Sequence, residues 1–272
     1  MLPWGVRTYV MGIVNVSPDS FSGDGVPEAV AAAAHALAQL AHGADLVDVG
    51  AESTRPGHLP IDSATERGRL IPALRAIRAA APDAILSVDT FKAPLFREAR
   101  AAGGDLLNSI WGARPDLVAA AAEANAPIVV MHNKPVALYE RDVVDEVLRS
   151  LDDAATRCVR AGIPAEHVIL DPGIGFGKLP EHNLAVLRSL DRLVALGYPT
   201  MVGTSRKSTI GKLTGRAVGT REFGTAATVA LAIAAGVDLV RVHDVDEQTD
   251  VVRVADAIVR GWRPDGWTER LP

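Results

Sequence analysis

In the stretch Ile169-Leu-Asp-Pro-Gly-Ile-Gly-Phe-Gly-Lys178, a short apolar run ends in an aspartate, and three alternating glycines follow. The run has the length and composition of a buried strand. The glycines permit a tight turn or a close backbone approach, as a phosphate cradle would need. Asp171 points the other way, toward a cation or a set of hydrogen-bond donors. The place of this stretch in the chain decides the fold, because the same pattern recurs along the whole sequence.

Seven other apolar runs lie at 8–14, 46–49, 85–88, 105–107, 128–131, 200–202 and 239–242, and with 168–170 they make eight. Several are continuous and β-branched, as strands buried on both faces are. Helical patterns alternate with them near 27–42, 62–80, 93–102, 115–124, 142–161, 180–195, 222–235 and 247–261. Such alternation predicts a parallel sheet with right-handed crossovers. Eight repeats in about 250 residues is the size of a (β/α)8 barrel. A doubly wound open sheet is the alternative. No linker or low-complexity segment divides the 272 residues, so a single α/β domain is expected over 1–272.

A barrel of this kind carries its chemistry at the C-terminal ends of the strands. The unusual polar words lie where that rule requires. Asn15-Val-Ser-Pro-Asp-Ser-Phe follows the first run, Gly50-Ala-Glu-Ser-Thr-Arg-Pro-Gly the second, and Asp89-Thr the third. Asn108-Ser-Ile-Trp-Gly, His132-Asn-Lys, Asp171-Pro-Gly, Gly203-Thr-Ser-Arg-Lys-Ser and Arg241-Val-His-Asp follow the other five.

Composition narrows the function. With 48% hydrophobic residues the chain can bury a sizeable core. The net charge of −5 and the lack of a Lys/Arg cluster argue against a nucleic-acid partner. The one cysteine, Cys158, excludes an intrachain disulfide and fits a reducing, cytoplasmic setting. No apolar run reaches the roughly 18 residues of a membrane span. No Ser/His/Asp triad, Walker sequence or Cys/His metal spacing is present, and Gly173-Ile-Gly-Phe-Gly lacks dinucleotide spacing.

Asp89, Asn108 and Asp171 end three strands and would converge on one pocket. Two carboxylates and an amide suit adjacent N–H donors, such as the edge of a 2-amino-4-oxo pyrimidine. Each aspartate could instead cap the turn that follows it. Arg55, Lys207, Arg241 and His243 come from the ends of runs two, seven and eight, and loops seven and eight of such barrels often bind phosphate. One small molecule with a heteroaromatic end and an anionic end would satisfy both groups. Lys207 alone could also be a Schiff-base nucleophile, although no neighbour in sequence obviously depresses its pKa.

Taken together and in order, these words resemble one family. Met11-Gly-Ile-Val-Asn-Val-Ser-Pro-Asp-Ser-Phe-Ser and Val49-Gly-Ala-Glu-Ser-Thr-Arg-Pro-Gly57 look like the two signatures of dihydropteroate synthases. Ser87-Val-Asp-Thr, Ile169–Lys178, Val202-Gly-Thr-Ser-Arg-Lys-Ser and Val240-Arg-Val-His-Asp-Val continue the match, which spans about residues 8–260. The resemblance implies a TIM barrel that condenses 6-hydroxymethyl-7,8-dihydropterin pyrophosphate with p-aminobenzoate, giving 7,8-dihydropteroate and pyrophosphate by an SN1-like route in folate biosynthesis. It implies Mg2+ as cofactor, a homodimer, and sensitivity of the family to sulfonamides. Asp89, Asn108, Asp171 and Lys207 would hold the pterin. Arg241 would stack on it and, with Asn15 and His243, hold the pyrophosphate. Asn15 would also place Mg2+. Thr54, Arg55, Ser208 and Phe176 would border p-aminobenzoate.

The chain departs from the family pattern at Ser109, where an aspartate is common, at Ser22-Gly-Asp-Gly25, at Ala51 and after run five. None removes a core ligand. The other readings are a methyltetrahydrofolate-binding methyltransferase and a non-catalytic pterin-binding paralogue. The first would not need the Ser-Thr-Arg-Pro-Gly loop or the Arg241/His243 anion site, and the second would not need the intact ligand set.

Overall fold

Eight strands and the helices between them follow the expected alternation in a computed structural model that describes residues 2–16, 28–52 and 60–268. The strands are β1 (Tyr9–Asn15), β2 (Leu46–Gly50), β3 (Ile85–Asp89), β4 (Leu106–Ser109), β5 (Ile128–Met131), β6 (Val168–Asp171), β7 (Met201–Val202) and β8 (Leu239–Val242). All pair in parallel, in the order β6-β5-β4-β3-β2-β1-β8-β7. A parallel bridge between Leu170 and Thr200 joins the two ends into a ring. That closure makes the fold a (β/α)8 TIM barrel and excludes the doubly wound sheet, whose strand order reverses about a switch point and leaves two edges.

The connecting helices are α1 (Glu28–Ala41), α2 (Ser63–Ala80), α3 (Ala93–Ala101), α4 (Pro115–Glu123), α5 (Val143–Arg160), α6 (Pro180–Arg188), α7 (Leu190–Val194), α8 (Ser208–Thr214), α9 (Glu222–Ala234) and α10 (Val245–Val259). Several of their starts are fixed by local chemistry. Asp62 caps α2 by accepting from the Thr65 amide at 2.9 Å, and Asp142 caps α5 by accepting from Val144 at 2.9 Å. Proline opens α4 and α6, where its missing N–H costs no helical bond. The alanine-rich α1 buries Ala32, Ala33 and Ala36 against the barrel.

Two features differ from the pattern reading. The helix expected over 180–195 breaks at Ser189 into α6 and α7. A short helix, α8, starts directly after Lys207 and was not foreseen, because seven residues are too few to show a 3.6-residue period.

Side chains on the two faces of each strand serve two cores. The outer faces pack against the helices; Val47, Val49, Leu86, Val88, Leu107, Val130 and Leu170 belong to that layer. Inside the barrel, Tyr9, Met11, Leu46, Leu106, Val129, Ile169, Met201 and Leu239 form an apolar plug. Trp4 closes its lower end, edge-on to Tyr9 at 5.6 Å between ring centres. This floor raises everything polar in the barrel toward the C-terminal mouth.

Candidate active site

The pocket begins one strand step above the plug. Side chains alternate along a strand, so residues two apart share a face. Two residues beyond plug members Leu46, Leu106, Ile169 and Leu239 stand Asp48, Asn108, Asp171 and Arg241. On β3, Ile85 is followed on the same face by Ser87 and Asp89. Asp89, Asn108 and Asp171 are 7%, 2% and 4% exposed. The three predicted pocket residues are thus buried at the strand ends on the inner face. The register sets Asp89 beside Asn108 and Gly50.

Asp48, which motif reading missed, ties this layer together. It has no exposed surface. It accepts hydrogen bonds from Ser87 Oγ, from Asn108 Nδ2 at 2.9 Å and from Arg241 Nε at 2.7 Å. With its amide nitrogen turned to Asp48, Asn108 leaves its carbonyl oxygen for a ligand donor. The signal was present in the sequence as a lone acid inside an otherwise apolar strand.

Arg241 lies among the acids. Its Nη2 also approaches Asp89 Oδ2 at 3.4 Å. Burial works against its charge, but the Asp48 and Asp89 carboxylates outweigh burial and raise its pKa. The basic and acidic halves of the site are therefore not separate, as the strand-end positions had suggested, but meet at this guanidinium. Asp89 is held up at about 8, first by burial and then by the charge of Asp48, with Arg241 pulling it down. Its Oδ1 is buried and has no hydrogen-bond partner among the described residues.

Asp171 is also raised, by burial, against the opposing charge of Lys207 and an N–H donated by Gly173 at 2.7 Å. Burial pulls Lys207 down to about 8, with Asp171 opposing. Its depressed pKa, which no sequence neighbour betrayed, thus comes from burial. Its Nζ donates to the Ile174 carbonyl and sits 4.5 Å from the centre of the Phe176 ring.

The glycine loop is not a phosphate cradle. The Gly173 amide is spent on Asp171, and the Gly175 amide donates to Asn183 Oδ1 at 2.8 Å. The glycines serve packing instead. Gly173 has φ +68°, and a Cβ there would stand 1.9 Å from the His132 carbonyl oxygen. Gly177, at φ +56°, would meet the Lys134 carbonyl oxygen at 2.3 Å. The loops after β5 and β6 are thereby pressed together. Lys178 Nζ bonds His132 Nδ1 at 2.9 Å and donates to the Gly173 and Phe176 carbonyls at 3.0 and 3.2 Å. Burial pulls Lys178 to about 7, and burial with the Lys178 charge pulls His132 to about 3.

The loops after β7 and β8 are locked to one another. Ser205 Oγ accepts from the His243 amide at 3.1 Å and lies 3.0 Å from His243 Nδ1. Arg206, in the left-handed region at φ 58°, pairs with Asp244 through Nε at 3.0 Å. Ser208 is exposed at the start of α8. Asn15 is exposed at the end of β1 and pairs with Gly50. Thr54 and Arg55 lie outside the described residues. At the departure from the family pattern, Ser109 Oγ donates to the Gly112 carbonyl at 2.7 Å and shapes the turn after β4. Glu52, Glu66 and Lys92 form a further ion-paired group that motif reading passed over, with Lys92 Nζ 2.8 and 2.5 Å from the two carboxylates.

Comparison with known proteins bears on this geometry. The model of the pterin binding enzyme family matches residues 11–243. The dihydropteroate synthase of Clostridium beijerinckii is 41% identical over 260 residues, covering 94% of this chain and 96% of that protein. A Clostridium difficile dihydropteroate synthase solved in the presence of pteroic acid has a TM-score of 0.92 at 41% identity, over 96% of this chain and 100% of its own. A Xanthomonas albilineans dihydropteroate synthase in complex with 7,8-dihydropteroate has a TM-score of 0.86 at 40% identity, over 93% and 94%. Sequence and barrel agree over nearly the full length of both partners, and the chain belongs to the dihydropteroate synthases of the pterin-binding enzyme family.

Proposed function

We propose that this chain is a transferase that condenses 6-hydroxymethyl-7,8-dihydropterin pyrophosphate with p-aminobenzoate, releasing 7,8-dihydropteroate and pyrophosphate. The observation that carries the reading is the buried Asp89 Oδ1, an acceptor without a partner among the described residues, in one layer with Asn108 and Asp171. A buried acceptor left unpaired costs free energy that a donating ligand would recover. The N–H groups along a pterin edge are such donors. We assign Asp89, Asn108, Asp171 and Lys207 to the pterin, and Arg241 to its face and to the pyrophosphate. Asn15 and His243 complete the pyrophosphate contacts. Ser208 and Phe176 border p-aminobenzoate, and Thr54 and Arg55 are assigned to it from the motif that carries them.

The chemistry follows from these charges. The bond from the pterin methylene carbon to the pyrophosphate oxygen breaks, and its electron pair leaves with pyrophosphate. Donors on the bound pterin favour the ionised carboxylates, and Asp89 and Asp171 so ionised stabilise the delocalised cation, while Arg241 and His243 stabilise the leaving group. Preorganised charge of this kind is usually the largest catalytic contribution. The aniline nitrogen then attacks the methylene carbon and sheds its proton, so no strong general base is required.

Mg2+ suits the leaving pyrophosphate. Among the described residues no group of three His, Cys, Asp or Glu could hold a metal, and Asn15 offers one neutral oxygen. Mg2+ commonly keeps waters and takes substrate phosphate oxygens, so this sparse donor set fits an ion that arrives with the substrate. When bound it would neutralise charge on the leaving group. Helices α9 and α10 pack on one another, and the large apolar side chains they expose, Phe223, Leu231, Val254 and Ile258, support a homodimer. The buried, unpaired Cys158 accords with a cytoplasmic setting. Among the described residues no helix is long and apolar enough to cross a membrane.

The test is turnover with both substrates, with and without a chelator. Mg2+-dependent pyrophosphate release that requires p-aminobenzoate supports the reading. Pterin binding without release would identify a non-catalytic paralogue, and methyl transfer from methyltetrahydrofolate would identify the related methyltransferase.

A further inference from the structure

The loop after β6 is held from two sides by two different ammonium groups. Lys207 takes the Ile174 carbonyl from the pterin side. Lys178 takes the carbonyls of Gly173 and Phe176, on either side of that residue, together with Nδ1 of His132 at the end of β5. Lys178 belongs to neither the acid layer nor the pyrophosphate group, yet three of its contacts lie within 3.2 Å. Its backbone carbonyl partners flank the segment that carries Phe176. The Tyr139 hydroxyl donates to the next carbonyl, Gly177, at 2.8 Å and continues the same attachment to the β5 loop.

We propose that Lys178 is a positioning residue for the p-aminobenzoate side of the site, clasping the β6 loop to the end of β5 and so fixing the Phe176 ring. The proposal rests on the assignment of Phe176 to p-aminobenzoate made above. Lys207 keeps Ile174 and Asp171 in place when Lys178 is lost, so the pterin contacts survive. The Phe176 carbonyl loses its clasp, and the ring moves from the position in which it meets the second substrate. His132 is the fixed post of the clasp: it is 5% exposed, and its own carbonyl is pressed against Gly173.

The experiment compares the wild-type enzyme with Lys178→Met, Phe176→Ala and the double variant. For Lys178→Met, KM for p-aminobenzoate rises by about tenfold, while kcat and the pterin pyrophosphate Kd stay within about threefold. In the Phe176→Ala background the Lys178 substitution adds little, because contacting residues that act as a unit are non-additive. Lys178→Arg, which keeps charge and donors, restores most of the KM. Equal losses in pterin Kd and p-aminobenzoate KM, or additive effects in the cycle, overturn the proposal. If Lys178→Met does not accumulate as folded protein, Lys178→Gln serves, and an unchanged KM overturns it equally. A wild-type enzyme that binds pterin but makes no dihydropteroate overturns the functional reading itself, and the proposal with it, an outcome distinct from an unchanged KM.

Discussion

Replacing Asp48 with asparagine removes the charge at the centre of the acid layer and almost nothing else. Asp48 accepts from Ser87, Asn108 and Arg241, and the Arg241 Nε contact is 2.7 Å. Asparagine keeps the shape, but its amide nitrogen must face at least one of these donors. Removing one partner of a buried ion pair costs about 3–5 kcal/mol. The low end applies, because Arg241 retains Asp89 at 3.4 Å and its side chain is 23% exposed. With an unfolding entropy of about 2 cal/mol/K per residue, a loss of about 3 kcal/mol lowers Tm by about 5 °C in a chain of this length. Asp48 also raises the pKa of Asp89. Without that like charge Asp89 ionises at lower pH, so the deficit shrinks as pH rises from neutral to above about 8. Calorimetric melts at both ends of that interval measure the effect, and pterin titrations should show about a tenfold loss of affinity, since Asn108 and Arg241 lose their common anchor. An unchanged Tm and unchanged pterin affinity would refute the role given to Asp48.

Asp89→Asn should weaken pterin binding by about 1–3 kcal/mol, because it sets an amide donor against ligand donors; calorimetric titration measures it, and unchanged affinity counts against the assignment. The same variant carries a pH signature. The folded pKa of Asp89, about 8, lies above the unfolded value, so its stabilising contribution is complete below about pH 4 and is lost as pH rises through about 8. Asp89→Asn should therefore flatten the fall of Tm across that window. Arg241→Ala should harm binding of pyrophosphate-bearing ligands more than binding of the free pterin, and equal losses would show that its contact with the pterin face dominates. Gly173→Ala should destabilise the fold by about 3 kcal/mol, since its Cβ would collide with the His132 carbonyl at a positive φ; denaturant unfolding reports it.

What the sequence revealed and what it hid follow from length scale. The eight strands were legible because continuous β-branched runs separated by helical periods are produced by a parallel barrel, and barrel geometry then places Asp89, Asn108 and Asp171 at the mouth. Asp48 stayed hidden because it lies inside a strand and carries no motif of its own; its partners are 39, 60 and 193 positions away. Lys207 gave no sign of its lowered pKa for the same reason, since burial is a property of the closed barrel. The glycine run was visible, but its purpose was not. Only the contact between Gly173 and the His132 carbonyl shows that the loop is shaped by the neighbouring strand end rather than by a phosphate. The break at Ser189 and the helix α8 are too short to leave a period.

A single-turnover experiment, with enzyme in excess over dihydropterin pyrophosphate and with p-aminobenzoate and Mg2+ present, decides whether this chain joins the two substrates. Quenched samples are assayed for both products. One 7,8-dihydropteroate should form for each pyrophosphate released. Pterin that stays bound and intact, or pyrophosphate released while p-aminobenzoate remains unconsumed, would contradict it.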